Sequence, residues 1–132
     1  EAAIGKRPQL SVFGTDYPTP DGSGVRDYIH VTDLVAAHWD ALTYLRRGGE
    51  SLIANCGYGR GYSVFDVINT VKKVSGTDFK VVIAPRRPGD PASYVADATL
   101  AREKLNWVPK HDNLEDIVRQ SLDWERRQHN RS

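Results

Sequence analysis

The sequence contains no methionine, only one cysteine and no long apolar run, and its charges almost cancel. A single cysteine excludes an intramolecular disulfide, so the chain is not a disulfide-stabilised secreted scaffold. No stretch approaches the roughly 20 apolar residues of a membrane-spanning helix, and no signal-peptide pattern opens the chain. The 18 Lys and Arg are interspersed with 17 Asp and Glu, which argues against nucleic acid or a membrane surface as partner. We therefore expect a soluble, cytoplasmic protein.

The sequence begins with Glu1 and not with methionine. Glu1-Ala-Ala-Ile is typical of the last turn of a helix that is already under way. A chain of 132 residues fits one domain of ordinary size. We expect residues 1–132 to form one domain of a longer protein.

Strand and helix patterns alternate along the chain and predict an α/β fold. Short apolar runs rich in β-branched residues predict strands at 10–13, 25–31, 51–57 and 79–85. Four amphipathic helices are predicted to begin at capping residues, namely Thr32 or Asp33, Ser63, Asp97 and Asn113. The first of them carries its apolar residues at helical spacing, namely Leu34, Val35, Trp39, Leu42 and Leu45.

The predicted strand at 51–57, "SLIANCG", is apolar on both faces. Such strands usually lie inside a parallel sheet that is covered on both sides, and this chain offers few parallel neighbours. Cys56 in this segment is predicted to be a buried thiol.

A glycine-rich turn, Gly57-Tyr-Gly-Arg-Gly61, lies between a predicted strand and a helix, as the dinucleotide-binding fingerprint does. Tyr62 stands where the third glycine of that fingerprint belongs, and no acidic residue ends a following strand about twenty residues on. The turn is therefore not interpreted as a nicotinamide site. It is interpreted as a turn that needs positive φ at two or three points, with a supporting role beside a ligand as the alternative.

Arginines at two strand ends are the strongest candidates for ligand binding. Arg86 and Arg87 follow one strand in "IAPRRPGD" (83–90), and Arg26 begins another. Guanidinium groups bind phosphate oxygens in a bidentate manner, and the carboxylate of Asp90 can accept hydrogen bonds from ribose hydroxyls. The pattern indicates a nucleoside diphosphate site, with a solvated surface pair as the alternative. The histidines show no metal-ligand spacing, and no nucleophile lies in a recognisable motif.

Four blocks in order, "FGTDYPTPDGSGVRDYIHVTDL" (13–34), "GYGRGYSVFDVI" (57–68), "APRRPGDPASYVAD" (84–97) and "KLNWVPK" (104–110), closely resemble the carboxy-terminal part of UDP-glucose 4-epimerases. These enzymes are extended short-chain dehydrogenase/reductases. The resemblance implies that the chain is the substrate-binding portion and that 51–57 completes the sheet of an amino-terminal Rossmann domain absent here. That domain binds NAD, which oxidises and re-reduces C4 of the sugar as UDP-glucose and UDP-galactose interconvert.

The resemblance also implies roles for particular residues. The uracil is bordered by Ser11, Val12 and Phe13, and the diphosphate is held by Arg26 and Arg87, with Arg86 in support. The uridine ribose is met by Val64 and Asp90. Tyr94 takes the position of a bulky residue beside the sugar, which disfavours UDP-N-acetyl sugars.

One departure from the family is plain: no tyrosine of the chain has a lysine four residues later. The resemblance therefore implies that residues 1–132 alone do not catalyse epimerisation. It also implies that the whole enzyme is a homodimer. The predicted strand at 51–57, left without its partner strands, predicts self-association of the isolated chain. Two alternatives remain open, namely another nucleotide-sugar dehydratase or decarboxylase of the superfamily, and a binding module without catalysis.

Overall fold

The computed structural model describes residues 1–129, and their elements alternate as an α/β fold does. A 3-10 turn at Ala2–Ile4 precedes the first strand. The strands are β1 Leu10–Phe13, β2 Val25–Arg26, β3 Tyr62–Ser63, β4 Val81–Ala84 and β5 Ser93–Tyr94. The helices are α1 Val31–Arg46, α2 Val64–Ser75, α3 Thr99–Leu105 and α4 Leu114–His129.

The strands form two small sheets. β1 and β4 pair in parallel, with Leu10 opposite Val81 and Phe13 opposite Ala84. The second sheet has the order β3-β2-β5, antiparallel between β2 and β3 and parallel between β2 and β5. The predicted strand at 25–31 is therefore shorter than expected, because only two of its residues pair before helix α1 begins.

Two apolar clusters make up the core. One joins β1 to helix α2 through Val12, Ile68 and Phe79. The other lies between α1 and α3 and contains Trp107, 1% exposed, with three buried alanines: Ala37, Ala98 and Ala101. The apolar stripe of α4 packs on α2 through its buried residues Leu114, Val118 and Leu122.

Local signals at the helix ends are confirmed for α2. Ser63 is its N-cap and forms a capping box with Asp66, and Gly76 ends the helix at φ 69°. Helix α1 begins earlier than predicted, because the ring of His30 accepts a hydrogen bond from the Thr32 N–H at 3.0 Å. The prediction that Asp97 caps α3 is wrong, because Ala98 is the N-cap and makes no side-chain cap bond; the carboxylate of Asp97, one residue earlier, accepts from the Thr99 N–H at 3.0 Å.

The predicted strand at 51–57 is not formed. The segment has no ladder partner among residues 1–129, and a strand exists only where a neighbour satisfies its backbone groups. Its side chains still alternate, with Ile53 93% exposed while Ala54 and Cys56 pack against the α1–α3 cluster. Burial raises the pKa of the half-buried Cys56 thiol.

The apolar side chains of helix α1 were predicted to pack in the core, but most of them face outward. Trp39 is 65% exposed, and Val35, Leu42 and Leu45 are exposed as well. The buried residues of this helix are Asp33 and Ala37. Of the described helices, none is long and apolar enough to cross a membrane.

Candidate functional site

The two parallel strands β1 and β4 end at the same edge of their sheet. Phe13 ends β1 opposite Ala84, the last residue of β4. The loop 14–24 leaves β1 here, and the segment 85–92 with Arg87 leaves β4. Ligands of α/β proteins bind outside the carboxyl ends of strands, and the structure has a cleft of about 310 Å³ at this edge.

Seven of the eight predicted site residues line this cleft. They are Ser11, Val12, Phe13, Arg26, Val64, Arg87 and Asp90. Four further residues complete the lining, namely Gly14, Tyr17, Gly24 and Tyr28. The residues come from β1, β2, the start of α2 and the segment after β4, so the cleft is built by contacts that are distant in sequence.

Arg87 lies against an aromatic ring and a carboxylate. Its guanidinium carbon is 4.7 Å from the centre of the Phe13 ring, which is a cation–π geometry. Its Nε donates to Asp90 Oδ2 at 2.9 Å, and Nη2 lies 2.8 Å from the same oxygen. The Arg87 side chain is 60% exposed, so an anion can reach the guanidinium without prior unfolding of the loop.

Arg26 enters the cleft from β2. Its Nη1 donates to the carbonyl oxygen of Val25 at 2.7 Å, and the side chain is half-buried. A Cβ on Gly24 would lie 3.2 Å from this Nη1, so the Arg26 side chain would have to shift slightly to accept it. The cleft thus has two guanidinium groups, from Arg26 and Arg87.

Val64 is positioned by the loop and by the cap of α2. Its N–H donates to the Gly24 carbonyl at 3.0 Å. Ser63, immediately before it, donates its hydroxyl to the carboxylate of Asp21 in the loop. Burial acts to raise the pKa of Asp21, but hydrogen bonds from Ser63 and Ser23 outweigh it and hold the pKa below its usual value.

Tyr94 is the predicted site residue that does not line the cleft. It is 69% exposed on β5, where it pairs with Arg26 in the parallel ladder. Tyr94 is therefore the ladder neighbour of a residue that lines the cleft, but is not itself part of the lining.

Arg86 turns to the loop rather than to the cleft. Its Nε donates to Asp16 Oδ1 at 2.6 Å, Nη2 donates to the carbonyl oxygen of Asp16, and the guanidinium lies 4.1 Å from the centre of the Tyr17 ring. The hydrogen bond from Arg86 lowers the pKa of Asp16. The two adjacent arginines thus have different surroundings.

Sequence reasoning missed two tyrosines of the cleft. Tyr17 is 7% exposed, although it lies in a stretch of Gly, Pro, Asp and Thr that reads as open loop. Tyr28 lies after β2; burial raises its pKa, and Arg26 partly opposes the shift. No local pattern marks Tyr17 as a cleft residue, because its burial depends on how the loop 14–24 folds back, with the Tyr17 N–H donating to the Gly22 carbonyl.

The glycine-rich turn at 57–61 surrounds the carboxylate of Asp27. The N–H groups of Tyr58 and Gly59 donate to it at 3.0 and 2.9 Å. Only Gly59 of the three glycines has positive φ, at 76°, where positive φ was expected at two or three points. A Cβ on Gly57 would lie 2.6 Å from the Asp27 Oδ2, and one on Gly61 would lie 2.4 Å from a Val25 methyl, so close packing explains the other two.

Comparison with known proteins gives the chain clear relatives. Residues 1–121 match the family model described as GDP-mannose 4,6 dehydratase. The chain is 59% identical over 126 residues to a UDP-glucose 4-epimerase of Azospirillum brasilense, covering 96% of this chain and 36% of that protein.

Two solved structures resemble the fold closely. A UDP-glucose-4-epimerase from Stenotrophomonas maltophila, with bound NAD and formylated UDP-arabinopyranose, gives a TM-score of 0.93 at 43% identity, covering 99% of this chain and 39% of that one. The UDP-Glc/GlcNAc 4-epimerase of Campylobacter jejuni gives 0.86 at 51% identity, covering 96% and 38%. The chain thus spans less than two fifths of the length of these three relatives and matches the carboxy-terminal portion of such structures.

Proposed function

This chain belongs to the family described as GDP-mannose 4,6 dehydratase, and we propose that it is the UDP-binding part of an NAD-dependent UDP-glucose 4-epimerase, a proposal supported by its 59% identity to the Azospirillum brasilense epimerase. The observation that carries the proposal is the cleft at the end of β1 and β4. The cleft brings Arg26 and Arg87 together with Phe13, the aromatic residue at the end of β1. Two cations and an aromatic edge suit a nucleoside diphosphate.

We assign the parts of UDP by the chemistry of the lining. Arg26 and Arg87 bind the diphosphate, because planar guanidinium donors match phosphate oxygens. The uracil lies along 11–13, at the end of β1. Val64 and Asp90 meet the ribose, where the Asp90 carboxylate accepts hydrogen bonds from the hydroxyls. On binding, a phosphate shares Arg87 with Asp90, so the ligand replaces part of an existing ion pair.

The residues of the glycine-rich turn do not fit NAD. In the turn at 57–61, which most resembles a dinucleotide loop, the N–H groups of Tyr58 and Gly59 already donate to Asp27. We therefore assign NAD, and the catalytic tyrosine and lysine, to a part of the longer protein outside residues 1–132. The role of this chain is to bind and orient UDP-glucose or UDP-galactose, and it does not catalyse epimerisation alone.

Replacement of Arg87 by alanine tests the assignment of the diphosphate. A charge-assisted contact of this kind contributes about 2 kcal/mol, so the affinity for UDP should fall about thirtyfold in a calorimetric titration. Arg119→Ala is the matched control, because Arg119 pairs with Asp116 on helix α4 away from the cleft and should leave the affinity unchanged. An equal affinity of the Arg87→Ala variant and the unaltered chain would refute the assignment.

Tyr94 is proposed to restrict the sugar. The Campylobacter relative is described as acting on both UDP-Glc and UDP-GlcNAc, so identity to relatives does not decide the sugar. We place the exposed ring of Tyr94, the ladder neighbour of Arg26, beyond the diphosphate, where it would narrow the space for the sugar. We expect UDP-N-acetylglucosamine to compete more weakly than UDP-glucose, and Tyr94→Ala to reduce that difference. Equal competition by UDP-N-acetylglucosamine and UDP-glucose would refute a restrictive role for Tyr94.

A further inference from the structure

Tyr17 lines the cleft, and its buried hydroxyl has no hydrogen-bond partner within residues 1–129. The residue is only 7% exposed. A buried hydroxyl without a partner destabilises a folded protein, and such groups are uncommon enough to need a reason. A ligand that completes the hydrogen bond is one such reason.

The ring of Tyr17 is packed on several sides. The Arg86 guanidinium stacks on it at 4.1 Å while bonding to Asp16, and the Tyr17 N–H donates to the Gly22 carbonyl at 2.9 Å. Gly14 packs against the ring so tightly that a Cβ there would lie 2.7 Å from the Tyr17 Cε2 atom. None of these contacts is a hydrogen bond to the Tyr17 hydroxyl.

We propose that the Tyr17 hydroxyl hydrogen-bonds to the nucleoside half of the bound nucleotide, and that Arg86 is a positioning residue that holds Tyr17. The inference rests on the proposed function of the cleft. Tyr17 contacts Gly14, directly after Phe13, so it lies at the uracil end. Arg26 and Arg87 supply the charges for the diphosphate. A phenol hydroxyl can both donate and accept, which suits a uracil carbonyl or a ribose hydroxyl.

The test is Tyr17→Phe, which removes only the hydroxyl. The dissociation constant for UDP should rise about fivefold to tenfold, as expected for one neutral hydrogen bond. The melting temperature of the free chain should stay equal or rise, because the lost group had no partner. Tyr44→Phe, on helix α1 in a separate cleft, is the control and should change neither affinity nor melting temperature.

Inorganic diphosphate separates the two halves of the ligand. Its affinity should fall in Arg87→Ala and stay unchanged in Tyr17→Phe. The positioning role of Arg86 is tested in a double-mutant cycle: Arg86→Ala should weaken UDP binding less in the Tyr17→Phe background than in the unaltered chain. Fully additive losses would instead assign Arg86 a contact of its own and overturn the positioning role.

The outcomes distinguish this inference from the proposed function. Unchanged affinity of Tyr17→Phe for UDP, with Arg87→Ala weakened, overturns the role of Tyr17 alone. A lower melting temperature with unchanged UDP affinity does the same, since the hydroxyl then serves the fold through bound water. No saturable UDP binding by the unaltered chain overturns the proposed function and this inference together.

Discussion

Asp33 joins three segments at the buried start of helix α1. Its Oδ2 accepts from the Tyr58 hydroxyl at 2.7 Å and the His111 N–H at 2.8 Å, and its Oδ1 accepts from the Lys110 N–H at 2.9 Å. Burial acts to raise the pKa of Asp33, but these hydrogen bonds outweigh it, and the pKa lies below its usual value. The ionised carboxylate is therefore the form that stabilises the fold. Tyr58 shows the complementary effect, since burial and the bond to Asp33 raise its pKa.

Replacement of Asp33 by asparagine should lower the free energy of unfolding by about 2 kcal/mol, measured by urea denaturation at pH 7. An amide has one acceptor oxygen where the carboxylate has two, so at least one buried donor loses its partner. Asp123→Asn, at an exposed position of helix α4, is the control and should change stability by less than about 0.5 kcal/mol.

The effect of Asp33 should depend on pH. Its folded pKa lies below the unfolded value of about 3.9, so its stabilisation is complete above that value and is lost as the pH falls through the folded pKa. The difference between the unaltered chain and Asp33→Asn should therefore shrink below about pH 4. A difference that stays constant into strong acid would show that the charge of Asp33 contributes nothing.

At the scale of elements, helix α2 and the loop 14–24 depend on each other through Ser63. The Ser63 hydroxyl accepts from the Asp66 N–H at 2.9 Å and donates to Asp21, and Asp66 Oδ2 accepts from the Ser63 N–H at 2.9 Å. One residue thus caps the helix and fastens the loop that forms a wall of the cleft.

Ser63→Ala should lower the free energy of unfolding by about 1–2 kcal/mol, the usual effect of losing an N-cap, and should also weaken UDP binding several-fold. The second effect follows because the loop positions Tyr17 and Gly24 in the cleft. Ser121→Ala, exposed in the middle of helix α4, is the control for both measurements. A loss of stability in Ser63→Ala without any change in UDP affinity would show that the helix cap and the cleft are independent of each other.

Elements with local signals were predictable and those that depend on partners were not. The strand at 10–13 and the capping box of α2 follow from contiguous residues, and the structure confirms both. The segment 51–57 has a strand sequence but no neighbour among the described residues to pair with. The resemblance to epimerases pointed to the seven residues that the cleft brings together, and side-chain chemistry alone pointed to Arg26, Arg87 and Asp90 among them; neither pointed to Tyr17, whose ring contacts Arg86 and whose N–H bonds to Gly22.

At the scale of the whole molecule, an apolar surface remains exposed along helix α1. Val31, Val35, Trp39 and Leu45 are all more than half exposed, and Ile53 of the unpaired segment is 93% exposed. Groups of exposed apolar side chains mark surfaces that associate with another protein. We infer that another domain of a longer protein covers this surface, and that in the isolated chain a second copy takes its place.

The isolated chain should therefore self-associate as its concentration rises, measured by sedimentation velocity. Trp39→Lys should shift the chain toward monomer, because the residue is 65% exposed and its replacement costs little folding free energy. Val108→Lys is the control, since Val108 is 69% exposed but lies outside helix α1 and should leave association unchanged. A monomer at every concentration would contradict the prediction.

The central claim is that the cleft between β1, β2 and the segment after β4 binds UDP. Backbone amide chemical shifts, followed while UDP is added to the labelled chain, test it most directly. The account predicts saturable shifts concentrated at 11–14, 24–26, 64 and 87–90, with little change around the separate cleft of Asp40, Lys104 and Asn106. Shifts centred on that second cleft, or none at all in a folded chain, would contradict it.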